Sequence, residues 1–471
     1  MDSLWLVLVV VGGYMAVLAT ISILARRASR TSQGYTTGGR VFPAVLIGFL
    51  LASEFIGTSA SVGTAQAGYE VGISAAWNLA SLGIGFVLFS LLLARKFKAL
   101  GENTISVALA RYYGERTRLA TSVIMVSALL IVCVSLYTSG GAVIAGLIGI
   151  DNSVAIVITG VLAVAWVSIG GMRSVVYTNV LHAVVKLIGI TLAAVVSLWV
   201  VGGMGELRAS VPPEMFVWDN VGWSQIFAWL IAGIGATFAT QYVVQAITTV
   251  GDEQKARRAS FYSALVMVPF GLIAAFVGLC AAALYPDIDS LQALPAIVHD
   301  MPPIFGAVVV CGLTGAMLGS IGAVTLGTST LLLKDFYQPY FNKERNDRKD
   351  LWFIRTATVV AGLLPITLAL FAEDILAVTF LGKSLRAALA VLVLMMFYAP
   401  RFGGRNGAFL SIIASLLATI GWFAAGDPFG IDNAYIAVLT PLVVMTISHL
   451  VDRNRPRGTP APSQADAPAH S

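Results

Sequence analysis

Charge is scarce in this chain: only 11% of its 471 residues are Asp, Glu, Lys or Arg, while 58% are hydrophobic and the mean hydropathy is +0.85. This composition excludes an ordinary soluble domain and is typical of a protein that crosses a membrane several times. The net charge of +5 does not indicate a nucleic-acid partner, because the basic residues lie between apolar segments and not on one solvated face.

Cysteines are few and catalytic motifs are missing. Cys133, Cys280 and Cys311 lie in apolar runs without CxxC or Cys/His spacing, so we expect core residues and neither a disulfide framework nor a structural metal. The sequence has no HExxH, GxSxG or P-loop motif, and we therefore expect no enzyme. The first apolar run lacks a preceding basic region, which favours a retained span over a cleaved signal peptide.

Apolar segments, in contrast, are abundant: about thirteen are near or above the length that crosses a bilayer. They cover residues 4–25, 42–68, 73–94, 119–148, 153–170, 176–201, 223–250, 259–284, 303–333, 351–371, 375–399, 407–424 and 434–451. Nearly all of the 29 basic residues fall in the connections after odd-numbered segments. The positive-inside rule then places the N-terminus outside and the C-terminus inside. The inner connection 95–118 has room for a short helix over Ile105–Tyr113.

The second segment is a poor membrane anchor. Its middle is rich in Ser, Thr and Gly and carries a carboxylate, Glu54, in the run ASEFIGTSASVGTAQAG. A broken span survives in hydrocarbon only where it lines a site, and interrupted helices are where secondary transporters bind solute and ion. The alternative is a Gly/Ser-rich helix that packs closely on its neighbours.

The ninth segment offers small residues on one helical face. Ala316, Gly319 and Ser320 lie at positions i, i+3 and i+4. Exposed backbone carbonyls and one hydroxyl would suit a hard cation such as Na⁺. The alternative is a packing face of the GxxxG type.

Several stretches together carry a resemblance to a known family. They are the second segment up to AGYEVG, then GGMRSVVYTNVLH after the fifth, QYVVQ with GDEQKARR after the seventh, and GTSTLLLKDFY at the end of the ninth. Because of the order and spacing of these stretches, the chain resembles the sodium:solute symporter family of bacterial proline, pantothenate and sugar symporters. The resemblance covers segments two to eleven and implies an all-α, LeuT-type membrane fold with about thirteen helices, arranged as two five-helix inverted repeats with broken helices.

The resemblance also implies a division of the chain into regions. These are a transporter domain over 1–452, with repeat one at about 42–201, repeat two at about 223–399 and peripheral helices at 4–25, 407–424 and 434–451. The tail 453–471 is rich in Pro, Ala and Ser, so we expect it to be disordered and cytoplasmic.

By resemblance, a sodium site would use the carbonyls of Ser53 and Ile56 together with Ala316, Gly319 and Ser320. The family usually has two adjacent hydroxyl residues at the last two positions, but this chain has Gly319 before Ser320. One hydroxyl ligand is therefore missing.

A second departure follows the fifth segment. Where the family usually has Asp and Gln, this chain has Asn179 and His182. Asn179, His182 and Lys186 share one helical face. A Lys or His near an ion site could supply a positive charge in place of Na⁺, or carry a proton. The alternatives are a hydrogen-bonded structural His and a Lys that snorkels to the interface.

Candidate solute-binding residues are polar groups on segments two, four and seven. They are Ser59, Ser61, Tyr137, Gln241 and Gln245. In the seventh segment the Arg common in the family is replaced by Ala246, while Gln241, Tyr242 and Gln245 remain as solute or gate residues.

Lys383 and Arg386 lie one turn apart inside the eleventh segment, where cations are costly unless paired or facing a cavity. Glu54, Glu373 or Asp374 could pair with them. If they face the pathway instead, a carboxylate solute is favoured over a sugar.

The sequence therefore predicts a multi-pass transporter of a bacterial-type inner membrane, with the bilayer and a small-molecule solute as its partners and no protein partner indicated. Sodium-coupled symport by alternating access is favoured, with a carboxylate or an amino acid slightly preferred as solute. Na⁺ would be the coupling ion, and we expect no cofactor. The alternatives are a proton-coupled or uncoupled transporter of the same fold and a transporter-like solute sensor.

Overall fold

The computed structural model describes residues 2–25, 30–38, 42–371 and 375–453, which are almost entirely helical. The helices are α1 Asp2–Ala25, α2 Ser32–Thr37, α3 Ala44–Phe55, α4 Thr58–Val71, α5 Trp77–Leu92, α6 Ala94–Leu100, α7 Ile105–Tyr113, α8 Glu115–Ile148, α9 Asn152–Val201, α10 Met204–Ser210, α11 Trp223–Ala239, α12 Gln241–Thr248, α13 Glu253–Leu284, α14 Ala293–Asp300, α15 Pro303–Leu331, α16 Gln338–Tyr340, α17 Asp347–Ala369, α18 Ile375–Tyr398, α19 Gly404–Ala424 and α20 Asn433–Arg453. A π-helical turn, Leu332–Tyr337, follows α15.

Side-chain caps fix where several helices begin. Asp151 accepts hydrogen bonds from two backbone N–H groups of α9, Asp252 accepts one from α13, and Thr104 accepts one from α7. These bonds satisfy N–H groups that a helix start leaves without an intrahelical partner. The short helix predicted over Ile105–Tyr113 is confirmed by α7.

Ten helices of the described ranges are long and apolar enough to cross a membrane, or eleven if a bent pair is one span. Their outward faces are apolar, as shown by Val195, Trp199 and Leu417, which are 61%, 77% and 68% exposed. Such surfaces suit lipid and not water. The prediction of a multi-pass membrane protein is confirmed, whereas the count of thirteen spans and the orientation of the termini stay predictions.

Two of the helical segments are broken near their middle. The second predicted segment forms α3 and α4, separated by Ile56 and Gly57, whose backbone leaves the helical conformation. The seventh forms α11 and α12, which meet at extended Thr240 with a bend of 44°. A Cβ on Gly57 would lie 2.5 Å from the Leu136 side chain, so the first break also needs glycine for close packing.

The fifth and sixth predicted segments are two helices that meet within α9. Gly171 interrupts it with a φ of +62°, a conformation that glycine adopts without steric cost. The two apolar segments therefore exist as predicted, and they meet at this break.

Some predictions fall on residues outside the described ranges. These are Glu373 and Asp374, considered as partners for buried cations, and nearly all of the tail expected to be disordered. The division into two repeats with peripheral helices stays a prediction.

Candidate ion and solute site

The end of α3 directs backbone carbonyl groups into the protein interior. The last carbonyls of a helix have no intrahelical partner, so other groups must satisfy them. Here the carbonyls of Ser53, Glu54 and Ile56 accept hydrogen bonds from side chains of other helices. The first break is therefore a ring of oxygen acceptors of the kind that binds a cation.

A lysine ammonium occupies this ring. Lys186 Nζ lies 2.7 Å from the Ser53 carbonyl oxygen, 2.7 Å from the Ile56 carbonyl oxygen and 3.0 Å from Ser53 Oγ. Ser53 Oγ donates its own hydrogen to Asn179 Oδ1 at 2.8 Å, so it accepts from the lysine. Three acceptors match the three N–H donors of a protonated lysine. With only 3% of its surface exposed, Lys186 is buried and does not snorkel.

Helix α15 completes this cluster from the other side. Ser320 Oγ donates to the Glu54 carbonyl at 2.8 Å, and Asn179 Nδ2 donates to the Gly319 carbonyl at 3.4 Å. Ala316, the remaining residue of the predicted sodium site, is fully buried on α15. The structure therefore brings α3 and α15 together as predicted, while a role of these residues as sodium ligands stays a prediction.

Close contact between α9 and α15 depends on a row of glycines. A Cβ on Gly319 would lie 2.3 Å from Asn179 Oδ1, and one on Gly315 would lie 2.5 Å from His182 Nδ1. Neither distance is possible without displacement. The missing hydroxyl at Gly319 and the changes at Asn179 and His182 therefore belong to one packing arrangement.

Two further groups lie beside Lys186. Tyr14 of α1 hydrogen-bonds to His182 Nδ1, a contact that sequence reasoning missed because nothing marks Tyr14 within its apolar helix. Glu54 is buried and close enough to interact electrostatically with Lys186, and its Oε2 has no hydrogen-bond partner among the described residues. Glu54 is thus a buried carboxylate close to the ammonium.

The predicted solute-binding residues separate into two groups. Ser61 lines a small cavity together with Lys186, Phe270 and Leu313, and Ser59 is buried two residues earlier on α4. Tyr137 instead donates its hydroxyl to the Gly362 carbonyl of α17 at 2.9 Å. Ser61 therefore borders the ion site, whereas the Tyr137 hydroxyl serves a contact between α8 and α17.

Both glutamines of α12 bind neighbouring backbone. Gln241 accepts from the Ile105 N–H and donates to the Asn103 carbonyl, each at 3.0 Å. Gln245 donates to the Thr36 carbonyl of α2. These contacts attach α7 and α2 to the second broken helix, as a gate residue would. Both the oxygen and the nitrogen of the Gln241 amide are used in them.

Lys383 and Arg386 lie buried on α18, only 4% and 2% exposed. Lys383 Nζ donates to Asn78 Oδ1 at 2.7 Å, while Arg386 donates to the Gly382 carbonyl at 2.9 Å and to Thr240 Oγ1 at 3.1 Å. Within the part of the chain that the structure describes, neither forms an ion pair, with Glu54 or any other carboxylate.

Two broken helices around buried polar groups define a membrane transporter of the secondary class. A family model described as the sodium:solute symporter family matches residues 35–415, and the chain belongs to this family. The expected family and the exclusion of an enzyme are thereby confirmed.

Curated relatives are similar along most of the chain. It is 24% identical to the high-affinity proline transporter PutP of Bacillus subtilis (strain 168), over 86% of this chain and 90% of that protein. It is 21% identical to the high affinity choline transporter 1 of Homo sapiens, over 76% of this chain and only 65% of that longer protein.

Solved structures share the fold. A Na⁺-coupled sialic acid symporter superposes with a TM-score of 0.78 at 17% identity, covering 95% of this chain and 98% of that one. Mhp1, a nucleobase-cation-symport-1 family transporter, superposes with a TM-score of 0.61 at 15% identity, covering 88% and 94%. The predicted all-α, LeuT-type membrane fold is confirmed.

Proposed function

We propose that this protein is a secondary active transporter of a small organic solute, in which a proton carried by Lys186 takes the part that Na⁺ plays in the family. One observation carries the proposal: the Lys186 ammonium lies 2.7 Å from both carbonyls, of Ser53 and Ile56, that the family resemblance assigns to sodium. A carboxylate or an amino acid is the favoured solute.

The ammonium joins the first broken helix to α9. When protonated, Lys186 offers a hydrogen to each of its three acceptors, and when neutral it offers one fewer. Loss of the proton therefore weakens the contact between α3 and α9. Such a change moves a transporter between its states only if the two states bind the proton with different affinity.

Several titratable groups face this lysine and belong to the same equilibrium. Glu54 faces it from α3, and His182 precedes it by one turn on α9. Tyr14 of α1 binds His182 and lies near Cys311 of α15. A proton on this cluster is shared electrostatically, so its titration belongs to the group and not to Lys186 alone.

Sodium-coupled symport is the second candidate. Membership of the family supports it, as do relatives such as the Na⁺-coupled sialic acid symporter. In this case Na⁺ would bind the carbonyls of Ser53 and Ile56 after Lys186 has left them.

Uptake into proteoliposomes separates the candidates. Radiolabelled amino acids and monocarboxylates are offered under an inward proton gradient without Na⁺, and under an inward Na⁺ gradient at equal pH. We expect accumulation with the proton gradient alone, and its loss in Lys186→Met. Accumulation that needs Na⁺ and ignores the proton gradient would reject the proposal in favour of sodium coupling. Binding without any flux would favour the sensor alternative.

A further inference from the structure

The two helix breaks hold more positive than negative charge. Lys186 and Arg386 are buried there, Lys383 is buried one turn from Arg386 on α18, and Glu54 is the buried carboxylate beside Lys186 in the described chain. Glu54 lies close enough to Lys186 to interact with it electrostatically. Lys383 and Arg386 remain, and burying a charge without an opposite charge is costly.

The partners of these two cations are neutral. Lys383 binds the Asn78 amide oxygen and lies 4.2 Å from the centre of the Phe380 ring. Arg386 binds a backbone carbonyl and the Thr240 hydroxyl. Among the described residues, no carboxylate forms an ion pair with either cation. Neutral groups therefore hold both cations.

Arg386 lies at both breaks. It binds Thr240, the residue at which α11 turns into α12, and its guanidinium is 5.9 Å from the ring of Phe55 at the end of α3. Lys383 is on the same face of α18, one turn away. Interrupted helices are where secondary transporters bind solute, so the two cations border the expected solute position.

The donors match an oxyanion. A guanidinium presents a planar fork that fits the two oxygens of a carboxylate, and an ammonium adds further donors to the same group. A solute carrying negative charge would supply the counter-charge for Lys383 and Arg386.

We propose that the transported solute is an organic anion whose carboxylate, or chemically similar oxyanion, binds Arg386 and Lys383. This inference rests on the proposed transport function and specifies its substrate class. The solute neutralises the two cations while it is bound. After its release, Lys383 keeps its hydrogen bond to Asn78 and Arg386 keeps its hydrogen bond to Thr240.

Thermal stability of the purified protein in detergent tests the anion site without requiring transport. The probes are lactate, succinate, methylphosphonate and methanesulfonate, set against glucose, choline and zwitterionic proline. A ligand that binds only the folded protein raises its melting temperature. We expect stabilisation by anions only, and the phosphonate and sulfonate arms show whether a carboxylate is required.

Three variants assign the effect to these side chains. Arg386→Gln removes a cation, and Asn78→Asp places a carboxylate beside Lys383 that competes with the solute. Each should weaken anion binding about tenfold or more, and Asn78→Asp should also raise the melting temperature of the ligand-free protein. Arg208→Gln makes the same chemical change at an exposed residue of α10 and should bind as wild type. Arg386→Lys, which keeps the charge, should retain more affinity than Arg386→Gln.

Three results would overturn the anion site. They are stabilisation by neutral or cationic probes alone, no stabilisation by any anion, or unchanged anion binding in both Arg386→Gln and Asn78→Asp. Failure of the transport function looks different, because anions would then bind and not cross proteoliposome membranes. If only neutral solutes are transported, the proposed anionic substrate class is rejected and the proposed transport function stands.

Discussion

The two helix breaks hold their buried cations in different ways. At the first break, between α3 and α4, Lys186 has three oxygen acceptors from the chain and a facing carboxylate, Glu54. At the second break, between α11 and α12, Arg386 meets the Thr240 hydroxyl and a backbone carbonyl of its own helix, while Lys383, one turn away on α18, meets the Asn78 amide of α5. At the first site the chain itself supplies the acceptors and a nearby carboxylate, whereas the second site has no carboxylate paired with its cations among the described residues.

This difference suggests that the two breaks serve two separate tasks, coupling at the first and solute recognition at the second. A site completed by the chain changes only when the chain moves or a proton leaves, which suits coupling. A site that lacks a counter-charge is completed by a molecule from outside, which suits recognition. Substitutions at matched residues can test the distinction.

Exchange of each lysine for methionine gives the largest expected contrast. Lys186→Met leaves three buried acceptors without their donor, and each buried acceptor left without a partner costs about 1–3 kcal/mol. Lys383→Met removes an uncompensated charge and should leave stability nearly unchanged or raised. Melting temperatures of the two variants in detergent measure the contrast. Equal losses in both would mean that the two breaks do not differ as described.

The glycine row provides a contrast of intermediate size. Gly319→Ala places a Cβ 2.3 Å from Asn179 Oδ1, so we expect a loss of about 1–3 kcal/mol from overpacking. Gly13→Ala on α1 is the matched control, because its Cβ would meet no atom within 4 Å. The melting temperature should fall in the first variant only. An unchanged melting temperature in Gly319→Ala would show that α9 and α15 are packed less closely than the 2.3 Å distance indicates.

Ser320→Ala has the smallest expected effect on stability. It removes the hydroxyl that donates to the Glu54 carbonyl, for a loss of about 1 kcal/mol. Ser411→Ala on α19 is the control, since that buried hydroxyl binds only its own helix. Uptake adds a second readout: under sodium coupling, Ser320→Ala should raise the Na⁺ concentration for half-maximal uptake. Unchanged Na⁺ dependence would reject Ser320 as a ligand.

Helix breaks and shared helical faces could be predicted from the sequence. The run of Ser, Thr and Gly around Glu54 predicted the first break, and spacing placed Asn179, His182 and Lys186 on one face. Spacing does not give the distance between helices. It therefore could not show that the Lys186 ammonium reaches the carbonyls of Ser53 and Ile56 themselves.

Contacts between distant segments could not be predicted from the sequence patterns. Tyr14 binds His182 because α1 packs beside α9 and α15, and a single tyrosine in an apolar helix carries no signal of this. Gln241 and Gln245 were expected to line the solute site, yet their amides bind Asn103, Ile105 and Thr36. A polar residue on a broken helix indicates a buried partner but does not say whether that partner is solute or backbone.

The attachment of Lys186 to the chain has a consequence for the conditions under which its site is filled. A dissolved ion fills a site in proportion to its concentration, and dilution empties the site. A tethered group has a fixed effective concentration at its acceptors, set by the geometry of α9 and not by the medium. If Lys186 takes the part of Na⁺ as proposed, the ring of oxygens at the first break is filled to the same extent at low and at high salt, as long as the lysine keeps its proton.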